Sequence, residues 1–179
     1  MKVPFSPPDM SELEIAEVCD AIRSGWITTG PRTKEFERRI AAYCHTEKAV
    51  CLNSATACME LVLRLFGIGP GDEVITCAYT YTASASVIAH VGAKIVLIDT
   101  QKNSLEMDYD ALEAAINEKT KLITIQRSKG YATRPTFSVT QIGELIAFCK
   151  AIKPDVLVMV DNCYGEFVET IEPSDVGAD

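Results

Sequence analysis

The sequence has 179 residues, of which 47% are apolar and 23% are charged, a composition typical of a globular protein with one sizeable core. Its net charge of -8 at pH 7 argues against nucleic acid or an anionic membrane as a partner, because both would repel it. No apolar run approaches the roughly 20 residues that span a bilayer, and the start lacks a signal-peptide pattern, so we expect a cytoplasmic protein.

Two helices are predicted in an N-terminal segment, residues 1–46. Ser11 and Glu14 have the spacing of a capping box, apolar residues follow at helical intervals, and Gly25 supplies a C-terminal stop. After a turn, apolar residues at helical spacing predict a second amphipathic helix over 33–44.

From residue 47 onward, short β-branched runs alternate with helical patterns. This alternation predicts right-handed crossovers and a mainly parallel sheet with helices on both faces, that is, a three-layer α/β/α core over 47–179. The predicted strands are 49–52, 73–77, 94–98, 121–125 and 156–160, and the predicted helices are 56–66, 81–91, 108–118 and 140–152.

The seven cysteines do not have the pattern of a disulfide framework. Their number is odd and no C-x-x-C pair occurs, so reduced and mostly buried thiols are expected. Cys44, Cys51 and Cys58 are evenly spaced but fall on different predicted elements. We therefore predict no metal site.

The segment LNSATACMEL, residues 52–61, places small and hydroxyl residues at the start of a predicted helix. Ligands of a parallel sheet bind beyond the carboxyl ends of its strands, where a helix N-terminus offers free N–H groups. This first turn either binds a phosphate or only caps the helix, and the residues alone leave both interpretations open. The turn comprises Ser54, Ala55, Thr56 and Ala57, and the predicted buried stripe comprises Cys58, Leu61, Val62 and Leu65.

Two further candidates follow later strands. Tyr79 and Tyr81 are two residues apart, so we expect only one of them to face a site, where its ring can stack on a planar cofactor. The alternative is that both only cover the edge of the core. Asp161 ends a buried strand and either holds a proton on a heteroaromatic nitrogen or caps the next turn.

A phosphate-binding turn, an aromatic plate and a strand-end aspartate are the protein parts expected around pyridoxal 5′-phosphate (PLP). Over residues 3–122 the sequence resembles the DegT/DnrJ/StrS sugar aminotransferases, which are PLP enzymes of fold type I. The resemblance implies that Thr56 and Ala57 bind the phosphate, that Tyr81 stacks on the pyridine ring and that Asp161 pairs with the ring nitrogen. The motifs that carry it are SGWITTGP, NSATACMELVLRL, GPGDEVITCAYTYTASASVI and SLEMDYDALEAAINEKTK.

From about residue 123 the resemblance changes. Residues 123–179, which begin ITIQRSKGYATRPTF, resemble a different fold type I group, the cystathionine-lyase-like proteins known as aluminium resistance proteins. Both groups place an aspartate at the same strand end, so the role implied for Asp161 is common to them. Natural recombination, a constructed chimera and a faulty gene assembly each account for such a change.

The implied Schiff-base lysine has no equivalent in these residues. In both groups it follows the strand-end aspartate, whereas the last lysine here, Lys153, precedes Asp161. We therefore name no catalytic residue, and expect a partial large domain without the C-terminal small domain, inactive as an isolated chain. The full-length protein is expected to be a homodimer.

Three functional hypotheses follow from the two resemblances. The first is a PLP-dependent aminotransferase acting on a nucleotide-linked keto-sugar with an amino acid donor. The second is a fragment of a PLP-dependent carbon–sulfur lyase, and the third is a non-catalytic PLP-fold fragment or hybrid.

Three other residues have open interpretations. Trp26, in the WITTGP turn, either lines a substrate pocket or packs on the N-terminal segment. Arg127 and Arg134 follow a predicted strand and either contact a carboxylate or phosphate or are ordinary exposed arginines.

Overall fold

The computed structural model describes residues 8–103, 105, 107–130 and 133–179. Residues 3–7, where the family resemblance begins, lie outside this described part. The chain forms two compact units. Described residues 8–43 and 47–51 belong to the first unit, and the remaining described residues belong to the second.

The first unit contains helices α1 (Glu12–Arg23) and α2 (Pro31–Tyr43). The predicted capping box is present at α1, where the backbone N–H of Ser11 donates to the Glu14 carboxylate at 2.6 Å. Gly25 adopts a φ of +72° directly after the helix, a conformation that favours glycine. The predicted start and stop of α1 are therefore confirmed.

The second unit is a parallel sheet with helices on both faces. Its strands lie in the order β2-β1-β3-β4, and every neighbouring pair is parallel. The strands are β1 (Glu73–Cys77), β2 (Lys94–Ile98), β3 (Thr120–Gln126) and β4 (Leu157–Asp161). The helices are α3 (Ala55–Leu65), α4 (Thr82–His90), α5 (Tyr109–Ala115) and α6 (Val139–Ile152), followed by a 3-10 turn at Pro173–Val176.

Alternation along the strands separates the core into two layers. Val74, Leu122 and Met159 pack with α3 and α4 on one face of the sheet. Ile75 and Val158 pack with α5 and α6 on the other face. The predicted three-layer α/β/α architecture is thus confirmed.

The prediction of a strand at 49–52 is wrong. A strand needs a neighbour to accept its backbone hydrogen bonds, and residues 49–52 pair with no strand of the described chain. Instead, the N–H of Cys51 donates to the Glu37 carboxylate at 2.9 Å, and Val50 remains 65% exposed. A short apolar run was therefore not sufficient to define a strand.

The buried face of α3 also differs from the prediction. Met59 and Leu63 are buried, whereas Leu65 of the predicted stripe is 74% exposed. Apolar residues surround most of this helix, so periodicity does not select one face. Packing against α4 selects it instead.

Helix α5 ends at Ala115, three residues earlier than predicted. The side chain of Asn117 donates to the Glu73 carboxylate at 2.8 Å, and its backbone N–H donates to the Thr120 hydroxyl at 3.0 Å. These bonds hold a turn in place of a last helical turn.

Candidate functional site

The predicted site residues share one edge and one face of the sheet. Helix α4 runs from the carboxyl end of β1 to the amino end of β2, so its N-terminus lies at the carboxyl edge. Helix α3 packs beside α4, and the turns that follow the two helices approach each other at Gly69 and Val91. Both helices therefore begin at the edge where β4 ends in Asp161.

Alternation also places Asp161 on the face covered by these helices. Asp161 has the same parity in β4 as Met159, which packs in the layer formed with α3 and α4. Its ladder partner in β3 is Gln126. The site thus lies between two helix N-termini and two strand ends.

The N-terminus of α3 combines a serine cap with available amides. Ser54 Oγ accepts the N–H of Ala57 at 3.1 Å, which is the capping role. The N–H groups of Ala55 and Thr56 donate to no other atom of the described residues. Capping and anion binding are therefore compatible here, since the serine uses only one of the first amides.

Tyr81 stands at the N-cap of α4 with 71% of its surface exposed. Its backbone N–H donates to Gln126 Oε1 at 3.3 Å, and the neighbouring Thr80 hydroxyl donates to the same oxygen at 2.7 Å. Gln126 thereby fixes the start of α4 against the end of β3. Gln126 was not among the predicted site residues, although its position directly after the predicted strand 121–125 was a usable signal.

Tyr79 lies elsewhere, on the α5 and α6 face. It lines a cavity of about 420 Å³ together with Ile125 and Leu145. The Arg134 guanidinium lies 5.3 Å from the centroid of the Tyr79 ring, and its Nη2 donates to the Ser128 carbonyl at 2.8 Å. Tyr81 is not among the residues that line this cavity, and Arg134 is held by internal contacts.

Asp161 is partly buried, and its two carboxylate oxygens differ. Oδ1 accepts the N–H of Cys163 at 3.3 Å, which is the predicted turn-capping role. Oδ2 accepts no hydrogen bond from the described residues. This second oxygen is therefore available to a ligand.

Arg127, in contrast, has no guanidinium nitrogen available to a ligand, because each one already has a partner in the described part of the chain. It is 5% exposed, and its Nη1 donates to Asn162 Oδ1 at 3.0 Å and to the Gly165 carbonyl at 2.9 Å. Its Nε donates to the Phe137 carbonyl at 3.1 Å, and Nη2 forms an ion pair with Glu169. Nη1 and Nη2 hold the loop after β4 and Nε holds the segment before α6, so Arg127 is a structural residue here.

These residues fit PLP by their donor and acceptor types. Two available amides at a helix N-terminus suit a phosphate, and the exposed Tyr81 ring suits stacking on a pyridine. The Asp161 oxygen without a partner suits a protonated ring nitrogen.

No described helix is long and apolar enough to cross a membrane.

Comparison with protein families gives a match that covers more than half of this chain. The pattern of the DegT/DnrJ/EryC1/StrS aminotransferase family matches residues 8–133. Among curated relatives, the UDP-4-amino-4-deoxy-L-arabinose–oxoglutarate aminotransferase of Shewanella sediminis is 46% identical over 121 residues. The spore coat polysaccharide biosynthesis protein SpsC of Bacillus subtilis is 42% identical over 121 residues. Each match covers 68% of this chain but 31% of the relative.

Solved structures show the same relationship. A Streptococcus pneumoniae protein described as a sugar aminotransferase, Spr1654, superposes in its PLP form with a TM-score of 0.76 and 47% identity, covering 90% of this chain and 43% of that protein. A Listeria innocua protein described as a cystathionine β-lyase involved in aluminium resistance superposes with a TM-score of 0.72 and 34% identity. That match covers 94% of this chain and 47% of the Listeria protein. Both predicted resemblances are confirmed.

Proposed function

Because this chain belongs to the DegT/DnrJ/EryC1/StrS aminotransferase family, we propose that it is the cofactor-binding portion of a PLP-dependent aminotransferase. The proposed substrates are a nucleotide-linked keto-sugar and an amino acid donor, a class supported by the name of the Shewanella relative, a UDP-4-amino-4-deoxy-L-arabinose–oxoglutarate aminotransferase. The observation that carries the proposal is that the α3 N-terminus, Tyr81 and Asp161 share one edge and one face of the sheet.

Each residue has a distinct role in this proposal. The first turn of α3, Ser54 to Ala57, binds the phosphate through its amides and hydroxyl groups. Tyr81 covers one face of the ring, and Asp161 holds a proton on the ring nitrogen. Gln126 positions the start of α4 and thereby Tyr81. PLP, when bound, supplies an electron sink that weakens a bond at the amino carbon of the donor.

These 179 residues contain no lysine after Asp161, where the family resemblance implies the Schiff-base lysine. Lys153 is the last lysine, and its ammonium donates to Asp155 at 2.6 Å. It follows α6, just before the amino end of β4, whereas Asp161 lies at the carboxyl end. We therefore propose that a polypeptide of these residues alone binds the cofactor without turnover. Borohydride reduction after addition of PLP is expected to label no single lysine stoichiometrically.

The wider context is proposed from the length comparison. The chain spans about a third of the length of its curated relatives, 31% in each case. We propose that it forms part of a large domain, that a small domain and a second copy complete the enzyme, and that the enzyme works in the cytoplasm.

A carbon–sulfur lyase is the second candidate. The observation that favours it is the match to the Listeria protein, which covers 94% of this chain against 90% for the Streptococcus sugar aminotransferase, together with the end of the family match at residue 133. The two reactions give different products. A longer polypeptide that includes the lysine would either aminate a keto-sugar nucleotide or release a thiol from a sulfur amino acid.

Cofactor binding by the 179-residue chain tests the proposal directly. Pyridoxamine 5′-phosphate is the suitable probe, because it has no aldehyde to react with surface lysines. Ala55→Pro removes one available amide at the first helical position, where proline is tolerated, and Ser54 already has the extended backbone that precedes proline (φ -163°, ψ 155°). We expect it to raise the Kd about tenfold, as loss of a hydrogen bond to a charged group does.

Two controls make the result specific. Glu12→Pro makes the same change at the first position of α1 and is expected to leave the Kd unchanged. Pyridoxamine without phosphate should bind the parent and Ala55→Pro chains equally. Equal Kd values for the phosphorylated probe in the parent and Ala55→Pro chains would show that the α3 N-terminus is not the phosphate site.

A further inference from the structure

The cavity on the α5 and α6 face of the sheet lies within the second unit and has no part in the proposed function. Its volume of about 420 Å³ falls in the usual range of small-molecule sites, roughly 300 to 1,000 Å³. Its walls come from the ends of β1 and β3, the segments before α5 and α6, and α6 itself. Several elements of the fold therefore build this cavity together.

Aromatic and aliphatic side chains form most of its walls. Three aromatic rings, those of Tyr109, Phe137 and Phe148, pack against the buried core layer on this face of the sheet. Tyr79 supplies a fourth ring, which lies under the Arg134 guanidinium. Buried aliphatic side chains of the lining are Met107, Ile125 and Leu145. Rings held by packing keep their orientation before a ligand arrives, so an aromatic ligand can contact them at a small entropic cost.

The polar side chains of the lining already have partners within the protein. The Thr136 hydroxyl donates to the Arg127 carbonyl. Gln141 Oε1 accepts the backbone N–H of Ser138 at 2.9 Å. No buried side-chain nitrogen or oxygen of the described residues lacks a hydrogen-bond partner. The cavity therefore offers few bonds to water or to a polar ligand, and it favours an apolar one.

The charged groups of the lining disfavour a charged ligand. The Arg127 guanidinium is paired with Glu169, and Arg134 donates to the carbonyls of Leu105, Ser128 and Lys129 at 2.8 to 3.4 Å. Glu144 is exposed to solvent, where an ion pair contributes little. An anion or a cation would therefore lose its hydration in this cavity without gaining a buried partner of opposite charge.

We infer that this cavity binds a small, planar, uncharged aromatic molecule, whose ring packs against those of Phe137 and Phe148. The cavity lies on the opposite face of the sheet from Tyr81 and Asp161, so such a ligand leaves the proposed cofactor residues free. The inference does not depend on the proposed function, because no residue assigned to PLP contributes to it.

Titration of the 179-residue chain with indole tests the inference by isothermal calorimetry. We expect saturable binding of one indole per chain, with a Kd of about 1 mM or tighter. Tryptamine and indole-3-acetate keep the ring but add a charge, and each should bind at least about fivefold more weakly. The absence of saturable indole binding would overturn the inference. Equal or tighter binding of a charged analogue would overturn the choice of an uncharged ligand.

A matched pair of phenylalanines tests the location of the bound indole. Phe148 lines the proposed cavity, whereas Phe36 lines a different cavity, in the first unit, together with Trp26. Phe148→Leu removes one ring from the proposed site and should raise the Kd for indole about fivefold. Phe36→Leu should change that Kd less than about twofold. Equal effects, or a larger effect of Phe36→Leu, would place indole outside the proposed cavity.

Filling the cavity gives a second, opposite change. Leu145 is 7% exposed and lines the cavity, so Leu145→Phe adds volume inside it. We expect this substitution to weaken indole binding at least about tenfold, with the free energy of unfolding unchanged or raised, as in other cavity-filling substitutions. Parent-like indole binding in a folded Leu145→Phe chain would contradict the inference. If the larger ring prevents folding, the two phenylalanine variants still decide the location.

Titration with pyridoxamine 5′-phosphate separates this inference from the proposed function. The two ligands occupy opposite faces of the sheet, so saturation with indole should leave the Kd for pyridoxamine 5′-phosphate unchanged. Competition between them would place indole beside Tyr81 and overturn the inference. A chain that binds indole but not pyridoxamine 5′-phosphate would contradict the proposed function alone.

Discussion

At the scale of single residues, Arg127 and Asp161 show how two strand-end groups acquire different roles. Arg127 follows β3; its Nη1 and Nη2 bond to the loop after β4, and its Nε bonds to the segment before α6. Asp161 ends β4 and spends one carboxylate oxygen on the next turn. Both residues are charged and lie at the end of a buried strand. Residue type alone therefore could not distinguish a structural role from a ligand-binding role.

Asp161→Asn is expected to weaken cofactor binding. The substitution keeps the size of the side chain and its hydrogen bond to the Cys163 N–H but removes the charge that favours a protonated ring nitrogen. The Kd for pyridoxamine 5′-phosphate should rise about tenfold, the loss expected for a charge-assisted bond. Asp99→Asn, which follows β2 in the same way, should have no effect. A parent-like Kd in Asp161→Asn would argue for a capping role alone.

The two tyrosines should differ in the same titration. Tyr81→Ala removes the exposed ring next to α4 and is expected to raise the Kd severalfold. Tyr79→Phe keeps an aromatic ring in the cavity on the α5 and α6 face of the sheet and should leave the Kd unchanged. The reverse order of effects would identify Tyr79 as the stacking residue.

Arg127→Met should destabilise the fold rather than alter binding. The substitution leaves the carbonyls of Phe137 and Gly165 and the Glu169 carboxylate without their buried partner. Removal of one member of a buried ion pair costs about 3 to 5 kcal/mol in the free energy of unfolding. Urea denaturation measures it, with Arg134→Met as the more exposed control. A loss below about 1 kcal/mol would contradict the structural role.

At the scale of elements, two helices carry the same sequence signal with different consequences. Capping boxes start both α1, at Ser11, and α6, at Ser138. No described residue of α1 is buried, whereas α6 buries five residues in the core layer on its face of the sheet. A cap can only influence the stability of the unit to which its helix is coupled.

Ser138→Ala is therefore expected to lower the free energy of unfolding of the second unit by about 1 kcal/mol, the usual value of an N-cap. Ser11→Ala removes an equivalent cap and should increase fraying of α1 without shifting the main transition. Urea denaturation followed by circular dichroism gives the first value, and hydrogen exchange of the α1 amides gives the second. Equal shifts of the main transition would show that the two helices unfold together.

At the scale of the whole molecule, the opposite edge of the sheet carries a different polar network. Glu73, at the amino end of β1, is 8% exposed. It accepts Asn117 Nδ2 at 2.8 Å and pairs with Lys94 at 2.7 Å. The hydrogen bond from Asn117 and then the bond from Lys94 lower the pKa of this carboxyl. The network ties β1, β2 and the turn before β3 together.

This lowered pKa makes the stability of the second unit dependent on pH. The stabilisation is complete above the ordinary glutamate pKa of about 4.3 and is lost as the pH falls through the lower folded value. Glu73→Gln should therefore lose stability at pH 7 and show a smaller further loss on acidification to pH 3. Glu118→Gln, an exposed control, should follow the parent curve. Parallel curves for Glu73→Gln and the parent would contradict the assignment.

The sequence by itself determined the elements whose signals are local. The bounds of β1 and β2, the cap of α1 and the helix start at Ser54 follow from neighbouring residues, so they agree with the structure. Alternation of strands and helices also determined the parallel sheet. The six candidate cofactor residues were named from motifs, and their shared edge follows from that topology.

Only the tertiary structure decided the features that depend on distant partners. Residues 49–52 have strand-like composition but no neighbouring strand in the described chain, and α3 is apolar on most sides until α4 selects one. Gln126 matters because it meets residues 46 and 45 positions away, Thr80 and Tyr81. Such pairings are set by packing across the sheet, since hydrogen bonds and buried area between remote residues have no local sequence signature.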